Sequence, residues 1–318
     1  MRFVPAWLRI AASALLIGVL AACATPPETA RLLAEPGALP VHAEIADVPF
    51  IPQEENFCGP ASLAMVLSWS GVPMGQHDIA PQVFTPGREG TMRADMVAAA
   101  RRNGRLAIPV ETLPDVLAEL AAGNPVIVFQ NLSFNWYPIW HFAVATGFDL
   151  STGEIRLHSG LERDMRMPLE TFERTWARGD RWALVVVAPD RLPARADEVA
   201  VLRAAAGLER AGRAAEAAKA YDTALRRWPD SFPARIGLGN ARYAAGDIAG
   251  AEAAFRAAAD RRPDAGTAWN NLAQSLAAQG RLSEAREAAG RAIALGGPDA
   301  AIYRATLRAI ESKQTNGS

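Results

Sequence analysis

Between residues 45 and 190 the spacing of apolar positions changes from a helical to a strand period. Residues 61–69, ASLAMVLSW, read as an amphipathic helix. Thr91 heads a second helical stretch running to Asn103, with its hydroxyl placed to accept an orphan N–H. Thr112 starts a third, which ends at Gly123 and tolerates Pro114 in its first turn. Strand patterns follow. Residues 126–130 form a continuous apolar run, 141–148 mix small and β-branched residues, 154–158 follow a turn, and 182–188 close the set. Helices first and an antiparallel set of strands afterwards predict an α+β domain over residues 45–190.

A polar, Pro-containing linker at 190–197 separates this domain from an alanine-rich helical segment, 198–311. That segment repeats every 34 residues: Ala217, Ala251 and Ala285; Ala224, Ala258 and Ala292; Tyr221 and Phe255. Pro229 and Pro263 keep the period, and Pro298 comes one residue late. This is the tetratricopeptide pattern, predicting helix pairs at about 198–231, 232–265 and 266–298 and a capping helix at 299–311. Two roles stay open for it, a concave surface that binds a peptide or protein partner and a helical cap that stabilises its neighbour.

Composition narrows the choices. With 318 residues and 50% hydrophobic content there is material for two cores. Lys and Arg are scattered and the formal net charge is −1, so nothing marks a nucleic-acid footprint. Residues 1–22 form a unit of their own. Arg2 and Arg9 precede or flank an apolar run at 10–22, which is short of the ~20 residues a membrane helix needs. A basic start, an apolar run and small residues before Cys23 make an export signal. Leu20-Ala21-Ala22-Cys23 resembles the lipobox of bacterial lipoproteins. The resemblance implies cleavage before Cys23, acylation of its sulfur and a membrane partner. Ala24, where aspartate would signal retention, resembles the pattern for the outer membrane, facing the periplasm. An ordinary cleavable signal and a membrane anchor are the alternatives. Loss of Arg2 and Arg9 with the signal takes the charge from −1 to −3. Residues 23–44, rich in Pro, Ala and Glu, read as a tether.

The chain has two cysteines, so acylation of Cys23 leaves Cys58 without a partner. Cys58 stands in QEENFCGP, at a predicted helix start, where free N–H groups and the helix dipole favour a thiolate and can hold an oxyanion. Gly59 admits a close backbone approach, Pro60 suits the first turn, and Gln53 can bring a side-chain N–H to the same place. A base must come from four histidines. His42 lies in the tether, His77 in a Gly/Pro-rich loop and His158 at a strand end. His141 opens an apolar strand after the aromatic loop 135–138. A strand imidazole facing a helix thiol is the papain-type arrangement. A buried inert thiol and a structural histidine are the alternatives for Cys58 and His141, an ordinary loop residue that for Gln53. Trp136 and Trp140 suit either a substrate cleft or the core. Cys58, His77 and His158 match no common metal spacing, and no cofactor is expected.

Gln53…Cys58-Gly59-Pro60-Ala61-Ser62-Leu63, Gly90-Thr91 before a helix, and His141-Phe142-Ala143-Val144 together resemble the C39 bacteriocin-processing peptidases and their C39-like relatives, over about residues 47–188. The resemblance implies a papain-like fold, with Cys58 as nucleophile, His141 as general base and Gln53 as oxyanion donor. It also implies peptide substrates, cut after small residues such as a double glycine. One position departs: where the family carries Asp-Pro on the strand after the histidine, this chain has Ser159-Gly160. Ser159, His158 or Asp149 is left to orient the ring. The expectation is a cell-envelope lipoprotein peptidase working through a Cys58 thioester. A non-catalytic peptide-binding scaffold and an acyl transferase on the same fold are the competing readings.

Overall fold

The computed structural model describes residues 26–85, 87 and 90–316; Cys23 and the apolar run before it lie outside them. The stretch read as a tether is folded. Pro27–Ala34 forms α1 and His42–Glu44 forms β1. Among the residues of α1 only Thr29 and Leu32 are buried, so no apolar period announces it. It docks through polar contacts instead. The fully buried carboxylate of Glu173 accepts from the Glu28 N–H at 3.3 Å and from the Thr29 N–H and hydroxyl, both at 2.7 Å. Arg181 bridges Glu28 and Glu173 at 2.6 and 3.2 Å.

Cys58–Trp69 forms α2. Every residue from Gly59 to Leu67 is buried, so it is a central helix covered all round rather than an amphipathic one. Gln76–Val83 forms α3, and Phe84–Thr85 (β2) pairs with Gly90–Thr91 (β3). Arg93–Arg102 forms α4, with Met92 at its N-cap and no side-chain cap. Thr91 does not cap it, because Thr91 is held in β3 opposite Phe84. Leu106–Val110 is β4 and Leu113–Ala121 is α5, where the Thr112 hydroxyl accepts from the Asp115 N–H at 3.3 Å.

The remaining elements complete an antiparallel sheet: Val126–Asn131 (β5), Trp140–Asp149 (β6), Glu154–Ser159 (β7), Glu162–Pro168 (β8), Leu169–Ala177 (α6) and Ala183–Val187 (β9). The strand order is β4-β9-β5-β6-β7-β8, and β1 pairs with the far end of β6. That last pairing needs Gly147, where an added Cβ would stand 2.5 Å from the Ala43 carbonyl oxygen. Residues 141–148 of β6 are buried throughout, and α2 packs across this strand.

Seven helices follow: Glu198–Arg210 (α7), Ala214–Arg227 (α8), Phe232–Ala244 (α9), Ile248–Arg261 (α10), Gly266–Ala278 (α11), Leu282–Leu295 (α12) and Ala300–Asn316 (α13). They pack as successive antiparallel pairs, with alanines at the crossings. The core of the sheet domain runs on into them without a break. Leu106 and Val185 share one apolar cluster with Val201, Leu208, Ala217, Ala234 and Leu238, and a separate cluster begins with Ala251 and Phe255. Lys219–Asp190 at 2.7 Å, and the Arg213 guanidinium donating to the Arg102 carbonyl at 2.6 Å, fasten the same joint. Among the described residues no helix is long and apolar enough to cross a membrane.

Candidate active site

The first turn of α2 has no side-chain cap, so its N–H groups are left for other partners. The backbone N–H groups of Phe142, Gly59 and Cys58 itself favour the charged form of the Cys58 sulfur. Phe142 follows His141 on β6, so the start of α2 meets β6 one residue from the imidazole. Gly59 is required here: a Cβ on it would come within 2.5 Å of the Thr91 hydroxyl. β3 thus lies directly on the helix start.

A cleft of about 570 Å³ opens at the thiol, between Thr91, Met92 and Arg93 on one side and Phe129, Trp140 and Phe142 on the other. Phe129 and Trp140 stack with centroids 5.2 Å apart. The Arg93 guanidinium lies 5.5 Å over the Phe129 ring and pairs with Asp180 at 3.1 Å. Trp140 therefore lines the cleft, whereas Trp136 is 81% exposed on the loop beyond it. Arg93 and Asp180 enter the site through folding alone, flagged by no motif, whereas Thr91 belongs to the Gly90-Thr91 piece of the resemblance.

The His141 ring is buried, with Nε2 2.9 Å from the Ser159 hydroxyl. Of the three residues considered as its orienter, Ser159 is the one in contact. Asp149 stands at the other end of β6, about 26 Å along the strand, with its carboxylate accepting from the Ser151 N–H and hydroxyl at 2.8 and 2.5 Å. His158 is engaged elsewhere, by the Val48 carbonyl at 3.2 Å and the Asp164 N–H at 3.3 Å. His77 pairs with Glu54 at 2.9 Å, and His42 lies opposite Asp149 in β1. Gln53 donates its backbone N–H to the Gly160 carbonyl at 3.1 Å, which fastens the loop before Cys58 to the turn after Ser159. Its side chain makes no hydrogen bond among the described residues.

Electrostatics correct one expectation. Burial pushes the Cys58 thiol up from its ordinary 9.0, and the three N–H groups only partly offset this. Burial pushes His141 down to about 4, with no carboxylate to oppose it. Both shifts favour the uncharged forms, a thiol and a neutral imidazole, because burial outweighs the backbone N–H groups at the sulfur. Among the described residues no group of three or more His, Cys, Asp or Glu is gathered to hold a metal.

A thiol at the mouth of a central helix lies against the strand that carries a hydroxyl-held histidine, on an α+β fold. Residues 45–181 match the Peptidase_C39 like family. Residues 208–257 and 236–305 match two tetratricopeptide repeat families. A putative C39-like peptidase from Bacillus anthracis is 18% identical, over 46% of this chain and 97% of its own, with a TM-score of 0.39. The first tetratricopeptide domain of human RPAP3 is 18% identical over 37% of this chain and 93% of its own, with a TM-score of 0.36. The Yersinia enterocolitica type III secretion chaperone SycD, in complex with a peptide of the translocator YopD, is 21% identical over 36% and 92%, with a TM-score of 0.34. No curated protein matches the chain.

Proposed function

We propose that the chain is a cell-envelope cysteine peptidase, held at a membrane through acylated Cys23 and hydrolysing peptide bonds through a thioester on Cys58. The observation that carries this reading is that Cys58 and Phe142 line one cleft, with Phe142 one residue from a histidine whose Nε2 is held by Ser159. Cys58 passes its proton to His141 as the sulfur attacks the scissile carbonyl. The Cys58 N–H and the Gln53 side chain donate to the oxyanion. The imidazolium returns the proton to the leaving amine as the C–N bond breaks, and an acyl–sulfur bond remains. Water, deprotonated by His141, then attacks the thioester carbonyl, and Cys58 leaves with the proton. The repeats support a protein partner or a protein substrate.

The test is turnover of a fluorogenic peptide library by the whole mature chain and by Cys58→Ala and His141→Ala. Loss of turnover in both variants is expected. Turnover that survives Cys58→Ala sinks the reading. A second reading, a domain that holds peptides without cutting them, is favoured by a hydroxyl standing where a carboxylate would orient the ring. It predicts peptide binding by the wild type without any acyl adduct on Cys58. Acyl transfer uses the same thioester, and added amine appearing in the product distinguishes it from hydrolysis.

A further inference from the structure

Six large apolar side chains stand in one short segment from the end of β5 to the start of β6. Leu132, Phe134, Trp136, Tyr137, Ile139 and Trp140 are between 42% and 81% exposed. Residues 131–141 contain no Asp, Glu, Lys or Arg. Single exposed apolar residues are ordinary, but a contiguous patch marks a contact surface. The loop has a fixed shape. The Asn131 side-chain oxygen accepts from the N–H groups of Ser133 and Ile139, both at 3.0 Å. Phe134 and Tyr137 form an isolated bridge, and the Phe134 and Trp136 rings stack at 5.7 Å.

The start of the described chain lies at the same end of the domain. Glu28, in the first turn of α1, is joined to Arg181 at 2.6 Å. Arg181 closes a turn whose first residue, Arg178, donates to the Asn131 carbonyl at 3.1 Å, at the base of the loop. Cys23 precedes Pro26 by three residues, at most about 10 Å of extended chain.

We propose that this loop is a membrane-contact element that enters the surface of the bilayer in which Cys23 is anchored, an inference that rests on the acylated-Cys23 reading above. Trp136 and Tyr137 lie at headgroup depth, where a ring with an apolar body and one polar end is favoured. Phe134 and Ile139 reach the acyl boundary. The loop lacks the charges that would recognise an acidic or basic peptide, and an uncharged aromatic surface adds apolar contact to a lipid anchor. Trp140 belongs both to this patch and to the Cys58 cleft, so the cleft opens along the membrane plane.

The test uses the full chain purified in detergent and weighed for its acyl group. It is reconstituted into phosphatidylethanolamine–phosphatidylglycerol vesicles, with and without phospholipid brominated in its acyl chains. Tryptophan emission is compared for the wild type and Trp136→Phe, a change at a solvent-facing position that leaves the fold intact. The expected result is quenching of the wild type by bromolipid, most of it lost in Trp136→Phe, while both proteins float with the vesicles. Equal quenching in two acylated, floating proteins overturns the loop contact and leaves the anchor standing. A protein without the acyl mass fails the anchor reading, and the loop contact falls with it. Unquenched Trp136 combined with peptide binding weakened by Trp136→Phe assigns the patch to a peptide and overturns the lipid contact.

Discussion

Replacing Ser159 with aspartate puts a carboxylate where a hydroxyl now holds the His141 ring at 2.9 Å. In the wild-type site burial sets the imidazole near 4 and the thiol above 9.0. Passing the proton from sulfur to ring therefore costs at least about 7 kcal/mol, roughly five pKa units at 1.36 kcal/mol each. Closed to about 4 Å, opposite charges would return about 4 kcal/mol at an effective dielectric near 20. The ion pair stays about 3 kcal/mol uphill and under ~1% populated. A carboxylate at position 159 attracts the imidazolium with similar strength, and after its own desolvation lowers the apparent thiol pKa by about two units. Each unit raises the thiolate fraction about tenfold and cuts its nucleophilicity about threefold. Dithiodipyridine should then capture Cys58 about tenfold faster in Ser159→Asp than in the wild type at about pH 6.5. The assay uses a Cys23→Ser background, in which Cys58 is the sole thiol of the chain. Equal capture rates in two folded proteins refute the reasoning, as does a wild-type rate that already levels off below about pH 7.

His141 also makes the fold acid-sensitive. Its folded pKa, pushed down to about 4 from 6.5, means that the unfolded chain binds a proton the native one refuses. The stability is complete above about pH 6.5 and falls by up to about 3 kcal/mol as pH drops toward 4. Urea midpoints across that range should slope less in His141→Gln, and an unchanged slope counts against a buried neutral ring. Gly59→Ala pushes a methyl to within 2.5 Å of Thr91, which should cost about 1–3 kcal/mol and be largely recovered with Thr91→Gly; additive effects in the double variant would contradict the contact. Glu173→Ala removes the acceptor of the Thr29 N–H and hydroxyl and leaves Arg181 with Glu28 alone. It should cost about 1–3 kcal/mol and release α1 to limited proteolysis, and a resistant α1 would show that the apolar contact of Leu32 suffices.

What the sequence announces and what it hides follow from where the stabilising contacts lie. The repeat helices are legible because each Ala position recurs after 34 residues at a crossing with a helix close by in sequence. β5, β6, β7 and β9 are legible as apolar or small-residue runs between turns. β8 is not: ERDMRMP is an edge strand with four charged residues, paired only with β7. α1 is hidden because its anchor, Glu173, is 144 residues away from Thr29. α2 misleads the period argument, since a helix buried on every side has no polar face to show. In the site, Cys58, His141 and Ser159 are visible as motif positions, but their charge states are not. Those depend on how much water the surrounding strands exclude, which no local pattern encodes. Thr91 is visible as a helix-cap letter and as part of the Gly90-Thr91 motif piece, but its place against Gly59 comes from β2–β3 pairing.

The core shared by the sheet domain and the first repeat helices has a consequence for modularity. Punctuation in the chain suggests a joint at 190–197, but cutting there would bare Leu106 and Val185 on one side and Val201 and Leu208 on the other. The apolar clusters change over gradually beyond that joint, with Ala254 of α10 still in the first and Ile236 of α9 packed against the second. The first helix pair and α9 are part of the sheet domain's own core, so a helical segment exchanged for another would have to leave them behind.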